Sequence, residues 1–457
     1  MHTIWVPDLT RRKGPLAVTL ADAIGDAVQA GRLSPGDKLP PQRDLATELG
    51  IAVTTITRAY AEAERRGLVT GEVGRGTFVR APAFGSRHER EPGAVDLSIN
   101  ALLPHAHAAE LIRRFGAITA SLPASRLLDY QSHFGRPELR ASASDWIRRW
   151  GVDAPAEELV LAVGAQHGLA AVFGALCAPG DEVLVEPLTY SGMKAVASFV
   201  RVRLTPVPAD RDGVLPDGLE AAAARGRARL LYCMPNVHNP TGVTMSARRR
   251  KELAAAADRA GITIIEDDSY GFLADKLLTP LTALIPERCI YVSSLSKSVA
   301  PALRVGFVRA PRQLLGRVAD FIYATTVMVA APTAEVASAW IADGTADRIV
   351  KWKRAEMTAR GALARRHLRT LRGVTPMNSP HLWLNLPRPW TADDFAREAR
   401  SRGIIITPAR AFAAGPDAPE AIRVCIGAAA DRKVMVEALQ TLDTLARDPR
   451  VAFSAVV

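Results

Sequence analysis

The segment Ser293–Phe307 reads SSLSKSVAPALRVGF, with Lys297 set among small hydroxyl residues and Arg304 seven places after it. The apolar run CIYV (289–292) leads into it. A single lysine is ordinarily a solvated surface charge. Three other polar clusters, each following a short apolar run, change that reading: GAQHG (164–168) after LVLAV, NVHNPTG (236–242) after LLYCMP, and EDDSY (266–270) after ITII. Singly each is ordinary. Glycine turns open many helices, Asn-Pro-Thr-Gly makes turns, and a strand-end acid can cap the next helix.

Working outward, DEVLVEP (181–187), RLLYCMP (229–235), ITIIEDD (262–268) and CIYVSS (289–294) read as short buried strands, with helices such as Ser246 to Ala260 between them. That alternation predicts an α/β plan with a mainly parallel sheet, whose sites gather at the carboxyl ends of strands. All four polar clusters fall at such ends. Together they offer helix-start N–H groups for an anion, a polar turn, a buried carboxylate and an amine. A phosphorylated aromatic aldehyde bonded to a lysine needs these four things.

With those motifs in place, residues 95–457 resemble the fold-type I aminotransferases that use pyridoxal 5′-phosphate (PLP), a mainly parallel central sheet with a smaller C-terminal subdomain. The resemblance implies that Lys297 is the catalytic residue and bonds to the PLP aldehyde. It implies that Asp267 pairs with the pyridine nitrogen, that Tyr270 and Asn239 hydrogen-bond the ring's O3′, and that Tyr190, in VEPLTYSG, stacks on the ring. Ser294, Arg304 and the N–H groups of Ala165 and Gln166 would hold the phosphate. Tyr130, in DYQSHFGRPELR, matches a tyrosine that reaches the phosphate from a second subunit, which implies a homodimer. Arg423, in IRVCIGA, matches the arginine that grips a substrate carboxylate; read alone, it is also a surface arginine on an edge strand. No metal is implied.

Physical chemistry makes demands of each role. A protonated amine cannot attack an aldehyde, so the Lys297 pKa has to fall; partial desolvation and nearby Arg304 both act that way. A phosphate dianion needs several donors and a positive charge. Asp267 would keep protonated a pyridine that an apolar pocket would otherwise deprotonate, and the planar fork of Arg423 suits a carboxylate. One departure from the resembling family is Ala165, where many relatives place a serine. The early loop DLSINALLP (96–104) covers the substrate region in relatives.

Residues 1–80 are of another kind. LAVTLADAIGDAVQA (16–30) has helical periodicity and stops at Gly31. A second helix is expected from Pro41 to Leu49, and a third from Val53 to Arg66 with Ile56, Ala59, Tyr60 and Ala63 as a buried stripe. Thr54, Thr55, Thr57, Arg58 and Glu62 then face outward. LVTGEVGRGTFVR (68–80) alternates about a hairpin turn. Three short helices and a hairpin make a winged helix-turn-helix, whose third helix enters the major groove while the wing touches the backbone. Arg43 and Arg75 are placed for phosphates, and Thr54, Thr55 and Arg58 for bases. GRLSPGDKLPPQRDLATELG, TRAYAEAERRGLV and GRGTFV resemble the GntR family of bacterial transcription regulators. The recognition helix departs from that family by opening on Ala52-Val53 where Ser-Arg is usual.

Between the two parts, APAFGSRHEREPGA (81–94) has no periodicity and reads as a linker. Fully extended it spans at most ~50 Å.

Composition agrees with a globular, polyanion-binding protein. The chain has 457 residues, 48% of them hydrophobic and 23% charged, with 58 Lys and Arg against 47 Asp and Glu for a net +11. Its pI is near 9.8. Cys177, Cys233, Cys289 and Cys425 are widely spaced and form no disulfide or zinc framework. MHTIWVPDLTRRKGP lacks the apolar core of a secretory signal, so a cytoplasmic location is expected. Leu159 to Gly180 carries no charge over a membrane-spanning length, yet Gln166, His167, two glycines and Pro179 argue for a strand, a turn and a helix.

A GntR-type head joined to an aminotransferase-like body resembles the MocR-type subfamily of regulators. The resemblance implies a PLP-dependent regulator that binds a double-stranded DNA operator and senses PLP or a small amino compound. A working aminotransferase with a vestigial or autoregulatory head is the alternative, and a sensor of PLP alone is a third.

Overall fold

In the computed structural model, residues 5–448 are described apart from 8, 10–14, 30–32, 34–36, 66–67, 73–75, 80–92, 103–106, 275 and 374–375. The chain divides into two compact units, Met1–Glu89 and Arg90–Val457. The linker predicted over 81–94 lies mostly outside the described residues, as does Arg75 at the hairpin tip.

The first unit holds helices Leu16–Gln29, Gln42–Leu49 and Val53–Arg65, then antiparallel strands Val69–Glu72 and Gly76–Val79. Gly50, at φ +64, closes the second helix in the left-handed conformation, which costs a glycine no strain. Ile56, Ala59, Tyr60 and Ala63 of the third helix are buried with Leu20, Ile24 and Leu45. Buried Tyr60 donates its hydroxyl to Pro40 O at 2.8 Å, and Thr57 Oγ1 donates to Gln42 Oε1 at 2.6 Å, joining the second and third helices. Arg43, Thr54, Thr57 and Arg58 are exposed, while Thr55 and Glu62 are half-buried.

The second unit is built on a seven-stranded sheet. Across it the strands run Leu159–Ala162, Gly306–Arg309, Cys289–Ser294, Thr263–Asp267, Ala228–Cys233, Glu182–Val185 and Arg203–Pro206. Only Gly306–Arg309 runs against its neighbours. Strands Leu159–Ala162 and Cys289–Ser294 are buried at every residue, which explains the unbroken apolar sequence of the first and the CIYV run that opens the second. The uncharged stretch from Leu159 becomes a strand and then helix Ala165–Leu176; among the described residues no helix is long and apolar enough to cross a membrane.

A smaller sheet orders Leu382–Asn385, Ala421–Val424 and Thr407–Pro408. It packs with helices Ala392–Ser401 and Arg432–Arg447 over a core that includes Leu384, Phe395, Ile422 and Leu439. Val95–Asp96 pairs in parallel with Ile404–Ile405, so the chain enters this unit inside its C-terminal part. That pairing carries the following loop across to Arg423.

Candidate functional site

Asp267 is the last residue of its strand and 1% exposed. Its Oδ2 accepts from the Tyr232 hydroxyl at 2.8 Å, and its Oδ1 from Ser269 N and Oγ at 3.1 and 2.7 Å. Burial nevertheless pushes its carboxyl up to about 6. A carboxylate so desolvated is stabilised by a cationic N–H partner.

Beside it, strand Cys289–Ser294 ends in the four-residue helix Leu295–Ser298, which presents Lys297. Its Nζ donates to the carbonyl of Asn100. Burial brings the amine down to about 8; Cys425 and Asp267 pull it up, while the Arg423 and Arg304 guanidiniums push it down. Two guanidiniums, a thiol and a carboxyl therefore act on one amine.

At the neighbouring strand end, helix Ala165–Leu176 begins after Gly164. The first N–H groups of a helix have no acceptor within it, so those of Ala165 and Gln166 are available to an anion. Two glycines make the close approach here. Gly164 has φ +81, and a β-carbon on it would lie 2.7 Å from Arg304 Nη2; a β-carbon on Gly306 would lie 2.5 Å from the carbonyl carbon of Gly164. Arg304 donates to Val163 O at 2.9 Å. Ser294 pairs in register with Gly306, which sets its hydroxyl beside the same cup, where it accepts from Ser296 N at 3.4 Å.

Arg423 lies on the central strand of the smaller sheet and is 5% exposed, so the edge-strand surface reading does not hold. Its Nη1 donates to Asn239 Oδ1 at 2.7 Å, and its Nη2 to the Ser98 carbonyl. The guanidinium lies 4.6 Å from the Phe412 ring centre. With Oδ1 of Asn239 engaged by Arg423, its amide nitrogen is left to donate. Burial raises the hydroxyl pKa of both Tyr190 and Tyr270, which keeps them neutral donors. Gly192 leaves room for Tyr190, since a β-carbon there would lie 2.3 Å from its ring.

Lys297, Asp267, Tyr190, Tyr270, Asn239, Arg304 and Arg423 thus come together, next to Ser294 and the start of the Ala165 helix. Tyr130 stands apart at 87% exposure. Three buried groups of this cluster, Asn100 Oδ1, Gln166 Oε1 and Arg423 Nε, have no hydrogen-bond partner among the described residues. The donor set fits PLP: an amine, a buried acid, neutral hydroxyls and a helix start beside an arginine.

Sequence reasoning missed Lys353 and His381. Lys353, on helix Thr345–His367, donates to the carbonyls of Lys297 and Val299, both at 2.8 Å. Burial and the Lys297 charge bring it down to about 7. His381 Nδ1 lies 2.7 Å from Asn100 Nδ2 and its Nε2 lies 3.1 Å from His238 O. Burial pushes its imidazole down to about 3, so it is neutral, accepting from Asn100 and donating to His238. Neither sits in a distinctive local pattern.

Comparison with known proteins agrees with this geometry. Residues 92–442 match the family described as aminotransferase class I and II, and residues 16–79 match the bacterial regulatory proteins of the gntR family. The chain is 30% identical over 457 residues to the uncharacterized HTH-type transcriptional regulator YdeF of Bacillus subtilis, covering 97% of each. It is 27% identical over 443 residues to the HTH-type transcriptional regulator TauR of Rhodobacter capsulatus, covering 88% of this chain and 90% of that one. Its fold is similar to LysN, the alpha-aminoadipate aminotransferase of Thermus thermophilus, with a TM-score of 0.72 and 24% identity over 81% of this chain and 95% of that one.

Proposed function

The chain belongs to the aminotransferase class I and II family and carries a gntR-family head, and we propose that it is a PLP-dependent, DNA-binding transcription regulator of the MocR type that senses PLP or a small amino compound. The observation that carries this reading is the desolvated Lys297 amine, set beside buried Asp267 and a helix start, in one chain with a helix whose outer face exposes Thr54 and Arg58.

When bound, PLP supplies an electrophilic aldehyde and a ring that withdraws electrons. Lys297 would hold it covalently, and Asp267 would meet the ring nitrogen. Tyr270 and Asn239 would donate to the ring hydroxyl oxygen, and Tyr190 would pack on the ring face. Ser294, Arg304 and the N–H groups of Ala165 and Gln166 would take the phosphate, with Tyr130 reaching it from a second copy in a homodimer. Arg423 would receive the carboxylate of an amino acid ligand.

That last role suggests how the ligand acts. A carboxylate reaching Arg423 competes with Ser98 O and Asn239 Oδ1 for the same fork. Lys297 likewise holds Asn100 O. Both carbonyls lie on the segment that follows the linker in sequence, so site occupancy alters what that segment is bonded to. Coupling of this kind is reciprocal: operator binding changes ligand affinity by the factor with which ligand changes operator binding.

In the head, Thr54, Thr55 and Arg58 would read bases while Arg43 and Arg75 contact phosphates. The net +11 favours a polyanion partner, and a cytoplasmic setting follows from that role. A second reading, slow transamination by the same site, is favoured by the Lys297 amine, whose pKa near 8 suits proton transfer near neutral pH.

Footprinting of the full chain on the region upstream of its own gene, with and without PLP and an amino acid panel, tests the regulator. Ligand-dependent protection is expected. No protection at moderate salt in any condition overturns the regulator reading, and borohydride labelling of a peptide other than that of Lys297 overturns the cofactor assignment.

A further inference from the structure

The body holds a second concavity that the cofactor reading leaves unused. Its volume is about 330 Å³, and Leu188, Met234, Met245 and Trp383 form much of its apolar wall, with Glu186 and His238 among its polar residues. That size and lining, largely apolar with a few convergent polar groups, are those of a small-ligand site.

Glu186 is the telling residue. It is 5% exposed. Its Oε2 accepts from Met234 N at 3.1 Å and lies 3.0 Å from His238 Nε2, whereas its Oε1 accepts no hydrogen bond from a described residue. A buried carboxylate held through one oxygen is stabilised by a further donor, best of all a cationic one. Asp210, the other acid of the concavity, is already gripped by both terminal nitrogens of Arg249 at 2.9 Å each. The anion left for a ligand is Glu186.

The concavity also shares a wall with the lysine site. The His238 carbonyl lies 3.1 Å from His381 Nε2, and the next residue, Asn239, accepts from Arg423. A single loop therefore presents a ring to the concavity and an amide to Arg423.

We propose that this concavity binds a small amphipathic organic ammonium ion, its charge on Glu186 and its apolar body against Met245 and Trp383, at a site separate from Lys297. Through the His238–Asn239 turn such a ligand adjusts Arg423. The assignment stands independently of any chemistry at the lysine.

Calorimetric titration of the full-length protein with N,N-dimethylphenethylamine tests it, because a tertiary ammonium donates a hydrogen bond yet cannot condense with an aldehyde. Saturable millimolar or tighter binding is expected, retained in Lys297→Ala and absent for phenylacetate. Glu186→Gln and the cavity-filling Met245→Trp should each weaken it by about tenfold or more, with PLP absorbance unchanged as the check on folding. No saturable binding overturns the proposal. So does binding lost in Lys297→Ala, or binding untouched by both concavity variants.

Discussion

One lysine holds the backbone of another: Lys353 Nζ donates to the carbonyl oxygen of Lys297 at 2.8 Å and, at the same distance, to that of Val299. The Lys297 turn is therefore fixed from a helix far along the chain. Lys353→Met keeps the volume and removes both bonds, leaving two carbonyls unpaired. A loss of about 2–3 kcal/mol is expected, read from the midpoint shift in urea unfolding of the PLP-free protein. An unchanged midpoint contradicts the role.

The Lys297 amine, lowered to about 8 chiefly by burial, must be neutral to attack an aldehyde. The rate of PLP incorporation into the PLP-free protein is thus expected to rise with pH and level off above about 8. Arg423 pushes this amine down, so Arg423→Gln should move the midpoint upward, toward the ordinary lysine value. Stopped-flow absorbance across pH measures both; a downward shift in the variant refutes the electrostatic account.

Asp267→Asn retains the shape of the side chain and removes its charge. Cofactor affinity is expected to fall by about tenfold to a hundredfold, as a charge-assisted bond is lost, in a spectroscopic PLP titration. Affinity equal to that of the parent would place the ring nitrogen elsewhere.

Gly306→Ala puts a β-carbon 2.5 Å from the carbonyl carbon of Gly164, a clash with backbone that no rotamer relieves. PLP binding should collapse while operator binding by the head in the absence of ligand survives. Retention of full cofactor affinity would show that the cup is wider than its geometry.

Arg58 is exposed on the third helix. Arg58→Ala should weaken operator binding by about 1–3 kcal/mol, leaving the cofactor spectrum intact. Electrophoretic shift assays at two salt concentrations separate a phosphate contact, which flattens the salt dependence, from a base contact, which relaxes sequence preference.

Sequence reading succeeds here where the physics is local. Strand Leu159–Ala162 is buried at every residue, and a strand buried on both faces is written as one apolar run. The Ile56, Ala59, Tyr60, Ala63 stripe is visible for the same reason, because helical spacing alone puts these residues on one face. Roles such as that of Asp267 came from resemblance to a family, resting on motifs at strand ends. What stayed hidden is assembled by topology. Lys353 meets Lys297 across 56 residues and His381 meets Asn100 across 281, and no spacing rule reaches so far. Arg423 was singled out through the family resemblance, but not its bonds to Asn239 and Ser98, which depend on how the smaller sheet sits. The reversal of Gly306–Arg309 within the parallel sheet was equally silent, since a four-residue strand carries no mark of direction.

The pairing of Val95–Asp96 with Ile404–Ile405 has a mechanical corollary. The point where the chain enters the body is stitched to Ile404–Ile405, which lead directly into Thr407–Pro408, the strand paired beside Arg423. Ser98, whose carbonyl Arg423 holds, lies two residues past that anchorage, so a ligand that took Arg423 away from it would act at the entry point itself.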